Sequence, residues 1–95
     1  MRSRGALVWT IELTDTATRQ LAKLDKPVAR HIRKFLQQRV APLDNPREIG
    51  RKLHGETLGE FWKYRIGDYR IIVKIEDNRL VVLVIEIGRR RAIYR

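Results

Sequence analysis

The stretch EFWKYRIGDYRIIV, residues 60–73, carries three cations whose spacing suits work on a phosphate. Gly67-Asp68 is a two-residue hairpin signal. A turn there sets Arg65 opposite Arg70 and Lys63 opposite Ile72, and because strand side chains alternate, Lys63, Arg65 and Arg70 share one face. Two arginines directly across a ladder repel by roughly 0.2–1 kcal/mol. Folding does not select that pair, whereas an anionic ligand does; the competing reading is a plain solvent-facing strand surface. A second two-residue turn at Asp77-Asn78 would place Ile85 opposite Arg70. The final run, GRRRAIYR at 88–95, then leaves the sheet at the end where Arg65 and Arg70 sit.

Lysine, several arginines and a tyrosine, without a histidine pair, carboxylate pair or metal motif, suit phosphoryl transfer within RNA. Attack of a 2′-hydroxyl on the adjacent phosphate requires neutralised phosphate oxygens, which arginine forks supply, together with a proton acceptor and a donor. Arginine is too basic to accept the proton, so Lys63 and Tyr94 are the candidates. Tyr94 is also suited to stacking on a splayed base, or simply to packing. His31 falls on a helix and His54 in a loop, with no partner spacing for triad or metal chemistry. The chain has no cysteine and only these two histidines, which disfavours a disulfide framework and a zinc site. No cofactor is expected.

The formal charge is +10, from 21 Lys plus Arg against 11 Asp plus Glu. Such a field draws polyanions with salt-dependent affinity: nucleic acid, ribosome, an acidic protein or an anionic membrane. No apolar run reaches the ~18 residues of a membrane span and no long apolar signal core follows Met1–Ala6, so a soluble cytoplasmic protein is expected. Ninety-five residues suffice for one domain, 1–95, with 1–6 as a flexible extension.

The positioning elements follow from periodicity. LVWTIEL at 7–13 alternates as a strand, with Leu7, Trp9, Ile11 and Leu13 on one side. Thr14 and Asp15 offer an N-cap for a helix over 15–24, with Ala17, Leu21 and Leu24 at helical spacing. Pro27 opens a second helix over 27–41, whose stripe is Val28, Ile32, Phe35, Leu36 and Val40. The basic residues of these helices read as a solvated face. Residues 42–59 read as mostly loop, with a short helical turn after Asn45. Three antiparallel strands then form a meander whose apolar face is Tyr64, Ile66, Tyr69, Ile71, Val73, Ile75, Leu80, Val82 and Val84. Glu86 falls on that core face, which implies a strand end or a bulge. The fold class is α+β: a small antiparallel sheet of about four strands, strand one at an edge, with the helical hairpin packed on one face.

KLHG at 52–55, WKYRIGDYRIIV at 62–73 and IGRRRAIY at 87–94, with LAKLDKPVARHI in the helical hairpin, resemble the RelE family of toxins of type II toxin–antitoxin systems over residues 8–95. The resemblance implies a ribosome-dependent endoribonuclease that enters the A site and cuts mRNA by 2′-hydroxyl attack, leaving a 2′,3′-cyclic phosphate. It also implies a neutralising cognate antitoxin, with operator DNA bound only indirectly through the antitoxin complex, and no membrane. By position it assigns catalysis to Lys63, Arg65, Arg70, Arg90 and Tyr94. Lys63 would be general base or charge stabiliser, Arg65 and Arg70 would hold the scissile phosphate, Arg90 would act at the leaving group, and Tyr94 would orient the nucleotide. Arg89, Arg91, Arg95, Lys52 and Lys74 would contact RNA or ribosome. Arg65 stands where some members carry lysine, and Arg89 where histidine or lysine is usual. The alternatives are the ParE-like branch, which inhibits DNA gyrase on the same fold, and a non-catalytic basic RNA-binding module.

Overall fold

The computed structural model describes residues 9–53 and 60–89. Within them, β1 (Thr10–Leu13) leads through Thr14 into α1 (Asp15–Ala22) and then α2 (Lys26–Lys34), which continues as a π-helical stretch, Phe35–Val40. A 3₁₀ turn (Pro46–Ile49) and a two-residue strand β2 (Arg51–Lys52) precede the meander of β3 (Phe61–Ile66), β4 (Tyr69–Glu76) and β5 (Val81–Arg89). The sheet is five-stranded in the order β1-β5-β4-β3-β2, antiparallel except where β1 runs parallel to β5. The expected α+β class, the meander and the edge position of strand one hold, but the sheet is mixed rather than wholly antiparallel because β1 joins β5 in parallel. The sheet gains a fifth strand inside the segment read as loop.

Local chemistry explains the helices. The Thr14 hydroxyl accepts from the Ala17 N–H at 3.1 Å and caps α1, while Pro27 sits in the first turn of α2. The wide π turn is closed by a bond from the Ala41 N–H to the Leu36 carbonyl, 2.9 Å. Helical spacing alone cannot distinguish it from α. Ala17, Leu21, Ala29, Ile32, Leu36 and Val40 bury against Tyr64, Ile66, Ile71, Val73, Ile75, Val82, Val84 and Ile87. Trp9, Ile11, Leu13, Leu24, Val28, Phe35, Trp62 and Tyr69 pack partly buried around them. Both helices therefore cover one face of the sheet, and among the described residues no helix covers the other. Leu7 and the expected 1–6 extension lie outside the described residues.

The Gly67-Asp68 turn forms as expected, with Gly67 at φ 56 in the region that favours glycine. Ile66 pairs Tyr69, Arg65 pairs Arg70 and Lys63 pairs Ile72. The second hairpin departs from expectation. Its turn spans the four residues 77–80, closed by Glu76 opposite Val81, and Leu80 takes φ 54 at 50 % exposure rather than joining the core. Further along, Val73 pairs Val84 but Ile72 pairs Glu86, so Ile85 is an extra residue and a bulge. The two shifts together put Gly88, not Ile85, opposite Arg70.

Candidate functional site

The open sheet face is built in rows. Arg51 on β2 stands opposite Lys63 on β3, Lys63 opposite Ile72 on β4, and Ile72 opposite Glu86 on β5. The next row holds Arg65, Arg70 and Gly88. Lys74, two residues from Ile72, belongs to the same face. Arg65 is exposed, whereas Arg70 is set into the sheet at 3 % exposure, the one buried charged residue among the described ones. The pair thus offers one solvent-facing and one sheltered guanidinium, and a sheltered charge is screened less by water. Glycine opposite Arg70 on β5 leaves no β5 side chain directly across from it.

Arg51 was not a candidate on sequence, because two residues are too few to show a strand period. It is held by its neighbours. Asn45 accepts from the Arg47 N–H at 3.1 Å, and the buried Tyr64 hydroxyl donates to the Pro46 carbonyl at 2.8 Å. A Cβ on Gly50 would lie 3.0 Å from the Tyr64 ring and 3.2 Å from the Lys63 carbonyl, so only glycine lets this strand approach freely. The Leu53 N–H then bonds the Phe61 carbonyl at 2.9 Å. Arg47 pairs Asp77 at 2.7 Å and lies 5.9 Å over Trp62. This bond holds the Asp77 carboxyl below its usual range and raises Arg47, while burial pushes the Tyr64 hydroxyl far above the ordinary phenol range.

The bulge is held from the helical side. Thr14 donates its N–H to the Val84 carbonyl and its hydroxyl to the Ile85 carbonyl, both at 2.9 Å. The Gln20 side-chain oxygen accepts from the Ile87 N–H at 2.6 Å. The Thr14 N–H bond continues the parallel β1–β5 pairing, while the bulged Ile85 carbonyl and the Ile87 N–H beyond the end of β1 find partners on α1 and its cap. In consequence Ile87 is buried at 2 % and Glu86 is exposed on the cationic face, contrary to its expected place on the core side. The other carboxylates of this face, Glu12 and Glu76, are both bound by Arg79 at the far end of the sheet. The face is therefore basic where Arg51, Lys63, Arg65 and Arg70 lie, with Glu12 and Glu76 paired to Arg79 at the other end.

Of the sequence candidates, Lys63, Arg65, Arg70 and Lys74 share this face. Lys52 pairs Trp62 and by register belongs to the helical side, as does Arg89, whose guanidinium lies 5.7 Å over the Tyr69 ring. Arg90, Arg91, Tyr94, Arg95 and His54 lie outside the described residues. His31 is exposed on α2. No group of three metal-ligating side chains occurs among the described residues, and no helix among them is long and apolar enough to cross a membrane.

A helical hairpin on one side of a small sheet and a row of cations on the other define the α+β architecture of the described residues. Residues 11–94 match the family described as ParE toxin of type II toxin-antitoxin system, parDE. Toxin RelE of Mycobacterium tuberculosis H37Rv is 35 % identical over 86 residues, 90 % of this chain and 84 % of that one. The mRNA interferase toxin RelE of Escherichia coli K12 is 29 % identical over 84 residues, 88 % of this chain and 85 % of that one. A chain of the crystal structure of the M. tuberculosis RelBE2 toxin–antitoxin complex superposes with a TM-score of 0.79 at 25 % identity, covering 93 % of this chain and 98 % of that one. The chain belongs to the RelE family, within the RelE/ParE toxins of type II toxin–antitoxin systems.

Proposed function

We propose that this toxin is a ribosome-dependent mRNA endoribonuclease that cuts A-site codons in the cytoplasm by 2′-hydroxyl attack and so stops translation. The carrying observation is that two consecutive rows of the open face, Arg51 with Lys63 and Arg65 with Arg70, set like charges opposite each other. No ion pair among the described residues relieves Arg51, Lys63 or Arg65. Such pairs weaken a sheet unless an anion lies over them. In this reading Arg65 clamps the scissile phosphate from the solvent side and Arg70 from beneath, neutralising its oxygens as charge builds. Lys63 moves a proton, Arg90 acts at the leaving group, and Tyr94 stacks on or orients the nucleotide. Lys74, Arg91 and Arg95 add contacts to RNA, while Lys52 and Arg89, on the helical side by register, serve contacts to the ribosome. The name mRNA interferase on the E. coli relative supports the same activity.

The partners that follow are the ribosomal A site with its mRNA and a neutralising antitoxin, as in the RelBE complexes of the structural relatives. Operator DNA is reached only through the antitoxin. A second reading, inhibition of DNA gyrase, is favoured by the ParE description of the matched family. Programmed ribosomes with a defined A-site codon separate the two. The expected result is mRNA cut within that codon; no cut, with gyrase supercoiling blocked instead, selects the second.

A further inference from the structure

We infer that Glu86 is a catalytic residue of this site: its carboxylate takes the proton of the attacking 2′-hydroxyl, and the Lys63 ammonium gives one to the leaving oxygen. The inference rests on the nuclease reading and deepens it by assigning the two proton-transfer roles.

Simple alternation from Val82 and Val84 would turn Glu86 toward the helices. The bulge at Ile85 prevents this, seats Ile87 in the core and brings Glu86 out onto the cationic face. Thr14 and Gln20 fix the bulge with three hydrogen bonds. Bulges beside functional sites commonly re-aim one side chain, and here the one re-aimed is acidic. Lys63 and Glu86 stand on either side of Ile72 in one row. Their backbones are two strand spacings apart, about 9.5 Å, so both side chains can lean toward a group lodged over Ile72. The Arg65–Arg70 pair occupies the next row, where it can clamp a phosphate held there. In-line displacement needs its proton acceptor and donor on opposite sides of the phosphorus, and the row supplies one of each. Glu12 and Glu76 are bound by Arg79, whereas no ion pair among the described residues holds Glu86.

The step balances. Glu86 removes the 2′-hydroxyl proton as the O2′–P bond forms, the P–O5′ bond breaks, and O5′ leaves with the proton from Lys63. The products are a 2′,3′-cyclic phosphate and a 5′-hydroxyl, and both side chains recover by exchange with water.

The test uses the full-length toxin on programmed ribosomes under single-turnover conditions, with mRNA carrying either the natural linkage or a 5′-bridging sulfur at the scissile position. Sulfur leaves without a proton donor. Glu86→Gln is expected to cut at least roughly 100-fold more slowly, with ribosome affinity unchanged or tighter, and the sulfur substrate should not rescue it. Lys63→Ala should be slow on the natural linkage and rescued on the sulfur one. Matching thermal melts of both variants establish that each is folded, and Glu86→Asp should retain part of the rate. Cleavage by Glu86→Gln within about twofold of wild type, or its rescue by sulfur, overturns the assignment. A wild-type protein that cuts neither substrate overturns the nuclease reading itself, a result distinct from either.

Discussion

The Tyr64 hydroxyl donates to the Pro46 carbonyl at 2.8 Å, tying the middle of β3 to the 3₁₀ turn that delivers β2. Tyr64 is 1 % exposed, meets Phe35 edge-on at 5.6 Å and blocks a Cβ at Gly50. One side chain thus sets the distance between the helical layer, the turn and the β2–β3 ladder.

Tyr64→Phe should destabilise the fold by about 1–2 kcal/mol, since the Pro46 carbonyl loses a buried partner. Burial raises the folded-state value of this hydroxyl far above its ordinary one. The stabilisation tied to its neutral form is then complete below the unfolded value, about 10, and is lost as pH rises through the range above it. Urea unfolding from pH 8 to 11.5 should show a steeper alkaline loss in wild type than in Tyr64→Phe. Parallel curves would mean that other groups govern alkaline unfolding.

Gln20→Ala removes the acceptor of the Ile87 N–H at the bulge. A loss of about 1–2 kcal/mol is expected, the range for stranding a partly buried donor. Amide exchange at Ile87 should quicken more than at Val82, which stays in the regular ladder. Because Ile87 adjoins Gly88, which stands opposite Arg70, cleavage should fall by more than stability alone explains, even at temperatures where the variant is fully folded.

The parts of the site legible in the sequence were those governed by neighbours in the chain. Gly67-Asp68 sets its own hairpin, so the shared face of Lys63, Arg65 and Arg70 followed from counting by twos. The Asp77-Asn78 signal is just as local, yet the loop closes two residues later through Leu80 in a left-handed conformation. That choice is made with the rest of β5, which must supply Val82 and Val84 to the core beside β1. Glu86 on a core-facing position was the visible sign of the bulge. Its location and consequence depend on Thr14 and Gln20, about 70 residues away in the chain. Arg51 carried no signal, because a two-residue strand exists only by virtue of its pairing with Lys63 and Trp62.

Arg65 and Arg70 should show opposed effects on folding and function. Arg65→Thr relieves a like-charge pair with a good strand former, and a gain of roughly 0.2–1 kcal/mol in stability is expected. The same change should slow cleavage on programmed ribosomes by about 10²–10³, near the effect of removing one oxyanion donor. In the proposed site both guanidinium groups serve one phosphate, and Arg65→Thr with Arg70→Ala should then lose much less than the product of the single losses. Strictly multiplicative losses would assign the two arginines to separate phosphates.

Arg51 tests how far the cationic face tracks RNA. It is exposed on β2, its backbone pairs with Lys63, and no ion pair among the described residues holds it. Its row and that of Arg65 are two residues apart on β3, about 6.6 Å, close to the separation of successive phosphates on an extended strand. Arg51→Ala should therefore weaken binding to programmed ribosomes and lower the slope of log affinity against log salt by about one phosphate contact. Its single-turnover rate at saturating toxin should stay near wild type, since the proposed site places the scissile phosphate between Arg65 and Arg70. Arg51→Lys should restore most of the salt slope, because a point charge suffices for a flanking phosphate. A rate loss at saturation, with affinity and salt slope unchanged, would instead place Arg51 on the scissile phosphate beside Arg65 and Arg70.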